Sequence, residues 1–253
     1  SNIVFHSQIW PAELLAHNGQ GSRGGEPGPF GELVLPTTVV SSEFMTLEGK
    51  QFSTSRGHVI YVRDVMERQQ PDAVRYYLSA VAPETSDADF SWEDFARRIN
   101  GELVAGWGNL VNRTASMIAK SFGEIPQPGE LQEVDRALLE AVRGGYATVG
   151  GLLERFRNRQ ALAEAMRLVS EANAYISTTE PFKLKGAENA ERLATVLWTC
   201  AQAVTELNTL LSPFLPHTAN EVEKALGGDA VIAPLPRVEE VTDLDDPSVS
   251  YPV

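Results

Sequence analysis

Three hydroxyls and a guanidinium stand in one short run, Ser53-Thr54-Ser55-Arg56, with Lys50 shortly before it and Gly57 directly after it. Such donors bind oxygens, and glycine lets the backbone approach a ligand closely. Together they suit a loop that holds phosphates and stabilises charge as a leaving group departs. Loops of serine, threonine and glycine are also common as solvated turns, so the run alone leaves both readings open. A second pair, Asn109 and Arg113, is spaced by four. On a helix that spacing puts both side chains on one face. An amide and a guanidinium each offer the paired hydrogen bonds that read base edges, most often in single-stranded loops. The plainer alternative is a helix face whose Asn and Arg are tied to neighbouring helices. Phe5 and His6, near the start of the chain, read as a core aromatic and a histidine at a helix N-terminus.

These residues need elements to hold them. Ile3 to Phe5 reads as a short buried strand leading into a helix over Trp10 to Ala16. A strand without an earlier partner suggests that the chain opens inside a larger α/β domain. Gly19 to Gly31 is a glycine- and proline-rich loop, Leu33 to Met45 is rich in β-branched residues, and Glu48-Gly49 supplies a turn after it. Helical patterns cover Val62 to Arg68 and Pro71 to Val81, the second with proline in its first turn. From Ser91, a candidate N-cap with Asp94 three residues on, a helix is expected to run to about Phe122, where Gly123 and Pro126 end it. Further helices are expected over Leu131 to Phe156, Gln160 to Tyr175, Ala190 to Leu211 and Thr218 to Leu226. Their amphipathic patterns and short connections predict an antiparallel bundle.

With 253 residues and 43% hydrophobic content, the chain is sized for one large domain or two modest ones. No apolar run is long enough for a membrane span, no secretory leader is evident, and a soluble, cytoplasmic protein is expected. The lone Cys200 excludes an internal disulfide and a cysteine zinc cluster in this chain and reads as a core residue. A net charge of -13 argues against a protein that simply coats nucleic acid. The acid is concentrated late: residues 201–253 hold nine acidic and two basic residues, whereas 91–200 hold fourteen and thirteen. Arg155, Arg157 and Arg159 cluster in that middle stretch, either as a solvated helix end or as a phosphate contact.

Glu43 to Gly57 resembles the second signature of class I aminoacyl-tRNA synthetases, Lys-Met-Ser-Lys-Ser, in its methionyl form. Gln51 and Phe52 fall on the first Lys and Met, Ser53 on Ser, Thr54 on the second Lys and Ser55 on the last Ser. Both lysines are absent, which makes Lys50 and Arg56 the candidate replacements for their charge. Phe5-His6-Ser7-Gln8-Ile9-Trp10-Pro11 is similar to the segment at the methionine pocket of the methionyl enzymes, where an aromatic wall suits a polarizable thioether. Phe95 to Arg113 resembles the first helix of their anticodon domain, in which an Asn and an Arg four apart touch the anticodon. Glu180-Pro181-Phe182-Lys183-Leu184 resembles their Pro-Trp motif, with Phe182 where a tryptophan packs on the anticodon; the ring face is kept and the indole N–H is lost. Asp72 to Tyr77 resembles the structural segment joining the two domains.

The resemblance therefore implies an α/β remnant of a Rossmann-type catalytic domain followed by an all-α anticodon-binding bundle. It divides the chain into the end of the catalytic domain with its ATP loop (1–60), a connecting, stem-contact segment (61–90), the anticodon-binding domain (91–228) and an acidic, proline-containing tail (229–253). It implies ATP with Mg2+, methionine and tRNA(Met) as ligands, with catalytic or ATP-loop residues Lys50, Ser53, Thr54, Ser55 and Arg56, methionine-pocket residues Phe5 and His6, and anticodon residues Asn109, Arg113 and Phe182. The family's His-Ile-Gly-His signature and zinc-bearing insertion lie upstream in such enzymes, and neither His17, His58 nor His217 belongs to one. Without that half, the expectation is that this portion does not activate methionine alone, and no metal site is expected in it. A leucyl-, valyl- or isoleucyl-type synthetase, or a non-catalytic tRNA-binding helical protein derived from a synthetase, are the alternatives.

Overall fold

The chain begins in helix rather than strand. The structure, a computed structural model, describes residues 2–20 and 31–227. Ile3 to Phe5, expected as a buried strand, is helical and exposed, and a π-helical stretch over Phe5–Ile9 leads into α1, Trp10–His17. The reason is local bonding: His6 N–H donates to the Asn2 carbonyl at 3.1 Å, and the Ser7 hydroxyl to the Ile3 carbonyl at 2.6 Å. A helix satisfies its own backbone, whereas an unpartnered strand cannot. Most of the expected loop over 19–31, and the tail 229–253, lie outside the described residues.

The β-rich stretch pairs only at its end. Residues 31–44 lack regular pairing, and β1, Met45–Leu47, forms a parallel ladder with β2, Ala88–Phe90, setting Met45 opposite Ala88 and Leu47 opposite Phe90. Pro36, which lacks a ladder donor, sits in the unpaired part. The expected turn follows β1: Glu48 and Gly49 have φ of 48° and 75°. Between the strands lie α2, Val62–Met66, and α3, Pro71–Ala80.

Adjacent tyrosines of α3 face two cores. Tyr77 packs edge-on against Phe90 and Phe95, with ring centroids 5.1 and 5.3 Å away, beside buried Leu47. Tyr76 enters the main core with Trp107, Leu110 and Val142. Each fully buried apolar side chain of this kind contributes about 1.5 to 3 kcal/mol.

After β2, Ser91 caps α4, Trp92–Arg98, by accepting the Asp94 N–H at 3.4 Å, as its sequence position predicts. The rod continues through a π-helical stretch, Ile99–Gly108, into α5, Asn109–Ser121. Its extent matches the expectation, but its middle is not α-helical. Gly101, Gly106 and Gly108 weaken the α ladder there, and at Gly106 a Cβ would meet the Met166 side chain at 3.4 Å.

Four more helices complete the bundle: α6, Glu133–Glu154; α7, Asn158–Thr179; α8, Ala190–Leu211; and α9, Pro216–Ala225. The start of α6 meets the end of α7, so this pair is antiparallel, as Asp135 bonded to Tyr175 shows. Thirteen of the 22 residues of α8 are buried, Cys200 among them, which makes α8 the central helix.

Asp72 explains why the segment before α3 matters structurally. Its carboxylate, on a residue 4% exposed, accepts the N–H groups of His217 (3.4 Å) and Thr218 (2.6 Å) at the start of α9. Arg75 donates to the carbonyls of Pro213 (2.7 Å) and Phe214 (3.2 Å). Asp72→Ala removes this cap and is expected to cost about 1 to 2 kcal/mol. A denaturant midpoint that falls at unchanged slope would register that loss, and an unmoved midpoint would refute it.

Candidate functional site

The hydroxyl loop is a closed, anchored structure. Ser53 and His58 exchange backbone hydrogen bonds at 2.8 and 2.9 Å, and Gly57 N–H donates to the Thr54 carbonyl at 3.1 Å with φ of 66°. The Ser53 and Ser55 hydroxyls lie 3.3 Å apart. An imidazole nitrogen of His58 is 2.7 Å from the Leu47 carbonyl, tying the loop to the end of β1. Spacing alone did not mark His58 as an anchor, because that role exists only once the loop folds back. On the loop's rim Lys50 and Arg56 are exposed and enter no ion pair or hydrogen bond through their side chains among the described residues. Two free cations beside three hydroxyls can meet a polyphosphate without first breaking internal contacts.

The turn before the loop also touches the bundle. Glu48 N–H donates to the Phe90 carbonyl at 2.9 Å, and Gly49 N–H to the Asp89 carboxylate at 2.8 Å. The Glu48 carboxylate accepts the Trp92 N–H at 2.9 Å, at the first residue of α4. The loop is thus bonded to the helical rod that carries Asn109 and Arg113.

Asn109 and Arg113 lie one turn apart on α5, the first exposed and the second half-buried, beyond the buried Leu110 and Thr114. Phe182 is on a separate element, the 3-10 turn Pro181–Lys183, where its ring is 52% exposed while Pro181 is buried. Glu180, at φ 45°, ends α7 and turns the chain into this segment. Both α5 and the 3-10 turn rest on α8. Phe5 and His6 form an exposed aromatic run with Trp10, at ring separations of 5.4 and 6.5 Å. Neither bonds to the hydroxyl loop among the described residues.

One residue that sequence reading passed over organises the Phe182 end. Asp135, fully buried, accepts from Tyr175 OH (2.6 Å), from both Arg192 Nη atoms (2.5 and 2.9 Å) and from the Gln132 N–H (2.8 Å). Burial by itself would raise its pKa, but the hydrogen bonds from Arg192, Tyr175 and Gln132 outweigh that and hold the carboxyl below its usual range. Tyr175 and Arg192 flank the 180–189 connection, so one carboxylate pins both ends of the segment bearing Phe182. Burial pushes the Cys200 thiol up to about 12, with the Asp135 charge adding and Arg113 opposing. Arg113 therefore lies within electrostatic reach of the same part of α8. The sequence signal was faint: Gln132 and Asp135 form a capping box, but Arg192 and Tyr175 are far along the chain.

No group of three or more His, Cys, Asp or Glu is placed to hold a metal among the described residues, and no helix there is long and apolar enough to cross a membrane.

Residues 1–115 match the family model described as tRNA synthetases class I (M), and residues 135–249 match the model for the anticodon-binding domain of tRNA ligase. Those matches define the class: a class I synthetase region running into a ligase anticodon-binding domain. A methionine–tRNA ligase of Beutenbergia cavernae is 64% identical over 252 residues, and one of Kineococcus radiotolerans is 61% identical; each match spans all of this chain. The chain spans 41% and 42% of those relatives' lengths. The Mycobacterium tuberculosis methionyl-tRNA synthetase in complex with methionyl-adenylate superposes with a TM-score of 0.75 at 28% identity, over 90% of this chain and 43% of that one. Its free state gives 0.73 at 26%, over 90% and 42%. The chain belongs to the methionine–tRNA ligase family of class I tRNA synthetases.

Proposed function

We propose that this chain is the part of a cytoplasmic methionine–tRNA ligase that closes on ATP and reads the anticodon of tRNA(Met). In the reaction of such a ligase, the methionine carboxylate attacks the α-phosphorus of ATP and pyrophosphate leaves, giving methionyl-adenylate. The methionyl group then passes to the tRNA and AMP is released. Lys50, Ser53, Thr54, Ser55 and Arg56 are assigned to the polyphosphate, where fixed donors stabilise the charge that grows on the leaving group. The Mg2+ that accompanies ATP needs few protein ligands, because phosphate and water oxygens supply most of its shell. Phe5 and His6 are assigned to the methionine side chain. Residues 1–60 supply this catalytic portion, 61–90 the connection, and 91–228 the anticodon-binding bundle.

The observation that carries the anticodon reading is the pair on α5: Asn109 and Arg113 are one turn apart, unbonded through their side chains among the described residues, and not sealed in the core. With the exposed Phe182 ring on the α7–α8 connection, which like α5 rests on α8, they offer two base-edge readers and a stacking surface. The methionine ligases among the relatives favour this amino acid over the leucine, valine or isoleucine alternatives.

In a complete ligase carrying this chain, Asn109→Ala, Arg113→Ala and Phe182→Ala are each expected to weaken aminoacylation by about 1 to 3 kcal/mol in kcat/KM. Methionine-dependent ATP–pyrophosphate exchange should stay near the parent value. Equal losses in both half-reactions would remove the anticodon assignment.

A further inference from the structure

The turn between α6 and α7 carries two exposed arginines that no carboxylate pairs among the described residues. Arg155 and Arg157 flank Phe156, a non-glycine residue at φ 59° whose ring is 49% exposed. The turn itself is fixed, since Phe156 N–H donates to the Leu153 carbonyl and Arg157 N–H to the Leu152 carbonyl, both at 2.9 Å. Of the other arginines, Arg97, Arg98, Arg143, Arg167 and Arg192 have carboxylate partners, while Arg56 and Arg113, already assigned to ligands, do not. Arg155 and Arg157 have none among the described residues, in a chain of net charge -13. Unpaired guanidiniums in so acidic a chain suggest an anionic partner from outside.

The surroundings give that partner a shape. Arg155 and Arg157 line an open groove of about 530 Å³ together with the hydroxyl-bearing Thr38, Ser41, Ser42 and Thr85. The one carboxylate on the groove, Glu84, already accepts the Arg159 backbone N–H at 2.7 Å. Two guanidiniums and four hydroxyls on one groove, beside the apolar Val39, Val40 and Phe156, offer several donors to phosphate oxygens and a ring against which a sugar can rest. Position matters as well. The 22 residues of α7 separate this turn from the Phe182 segment, a span of about 33 Å at helical rise. An RNA stem whose loop lay on Phe182 could extend along α7 to this turn.

We propose that the Arg155–Arg157 turn is a second RNA contact, binding phosphodiester groups of the tRNA stem irrespective of base sequence. This inference rests on the reading of the chain as a tRNA binder, yet it can fail separately. Phosphate contacts set the salt dependence of binding, each contributing about 0.7 to 0.9 to the slope of log K against log salt.

The test is the affinity of this 253-residue chain for tRNA(Met) across a salt series, with wild type, Arg155→Ala/Arg157→Ala and Arg155→Lys/Arg157→Lys. The alanine pair should reduce the slope by about 1.4 to 1.8, and the lysine pair should retain it. At any one salt the alanine pair should weaken tRNA(Met) and an anticodon-changed tRNA by the same factor. An unchanged slope with tight wild-type binding overturns this site while leaving the anticodon reading intact. So does loss confined to one anticodon, or displacement of tRNA by inorganic phosphate at low millimolar concentration, which would mark a small-anion site. Absence of any RNA binding by wild type overturns both readings.

Discussion

Replacing Asp135 by alanine is expected to lower the stability of the helical bundle by about 3 to 5 kcal/mol. The carboxylate is fully buried and holds four hydrogen bonds from α7, α8 and the turn before α6. Removing it leaves the Arg192 guanidinium and the Tyr175 hydroxyl without their acceptor inside the protein, and an uncompensated buried donor costs more than the lost bond. Asp135→Asn keeps the shape but not the charge, and should cost less. The same residue sets a pH dependence. Its folded-state pKa is depressed, so its stabilisation is complete above the unfolded carboxylate value of about 3.9 and fades as pH falls through the lower folded value. Thermal or denaturant unfolding of wild type and Asp135→Asn should therefore converge as the pH drops below about 4. Curves that stay equally separated down to acid pH would contradict this account. Because Tyr175 and Arg192 bracket the segment with Phe182, faster amide exchange in residues 180–189 should accompany the destabilisation.

The second large effect is expected at the ATP loop. In a complete ligase carrying this chain, Lys50→Ala or Arg56→Ala should slow ATP–pyrophosphate exchange by about a hundredfold, with the double variant slower still. The loop lacks both lysines of its family's signature, so under the proposed function a neighbour supplies the charge that steadies departing pyrophosphate. Lys50 and Arg56 are the neighbours that are exposed and unpaired among the described residues. Arg56→Lys separates charge from geometry: rescue would assign a point charge, and failure a fork-shaped contact. If both alanine variants exchanged at the parent rate, the two cations would not be on the nucleotide.

Much of this architecture was legible because helices announce themselves locally. The Ser91 cap, the proline start of α3 and the extent of α8 follow from residues within a few positions of each boundary. What was not legible depends on partners distant in sequence. Ile3 to Phe5 has a strand's composition, yet among the described residues no strand pairs with it and its backbone closes on itself as helix. The π-helical middle of the α4–α5 rod answers to three glycines and to the close approach of Met166, a contact invisible along the chain. Likewise Asp135 looks like an ordinary first-turn acid until Tyr175 and Arg192, 40 and 57 residues away, are folded onto it. The candidate site divides the same way. Type and spacing offered its residues only as candidates and the family resemblance gave them roles, whereas the groups that hold them, His58, Glu48 and Asp135, emerged only in three dimensions.

The most direct measurement is a binding comparison on this chain: tRNA(Met) against the same molecule with its three anticodon bases exchanged. Wild type should prefer the native anticodon by about 2 to 6 kcal/mol if both base-edge contacts add, and by about 1 kcal/mol or more if one dominates. That preference should shrink in Arg113→Ala. Equal affinity for the two RNAs would mean that Asn109, Arg113 and Phe182 do not read the anticodon.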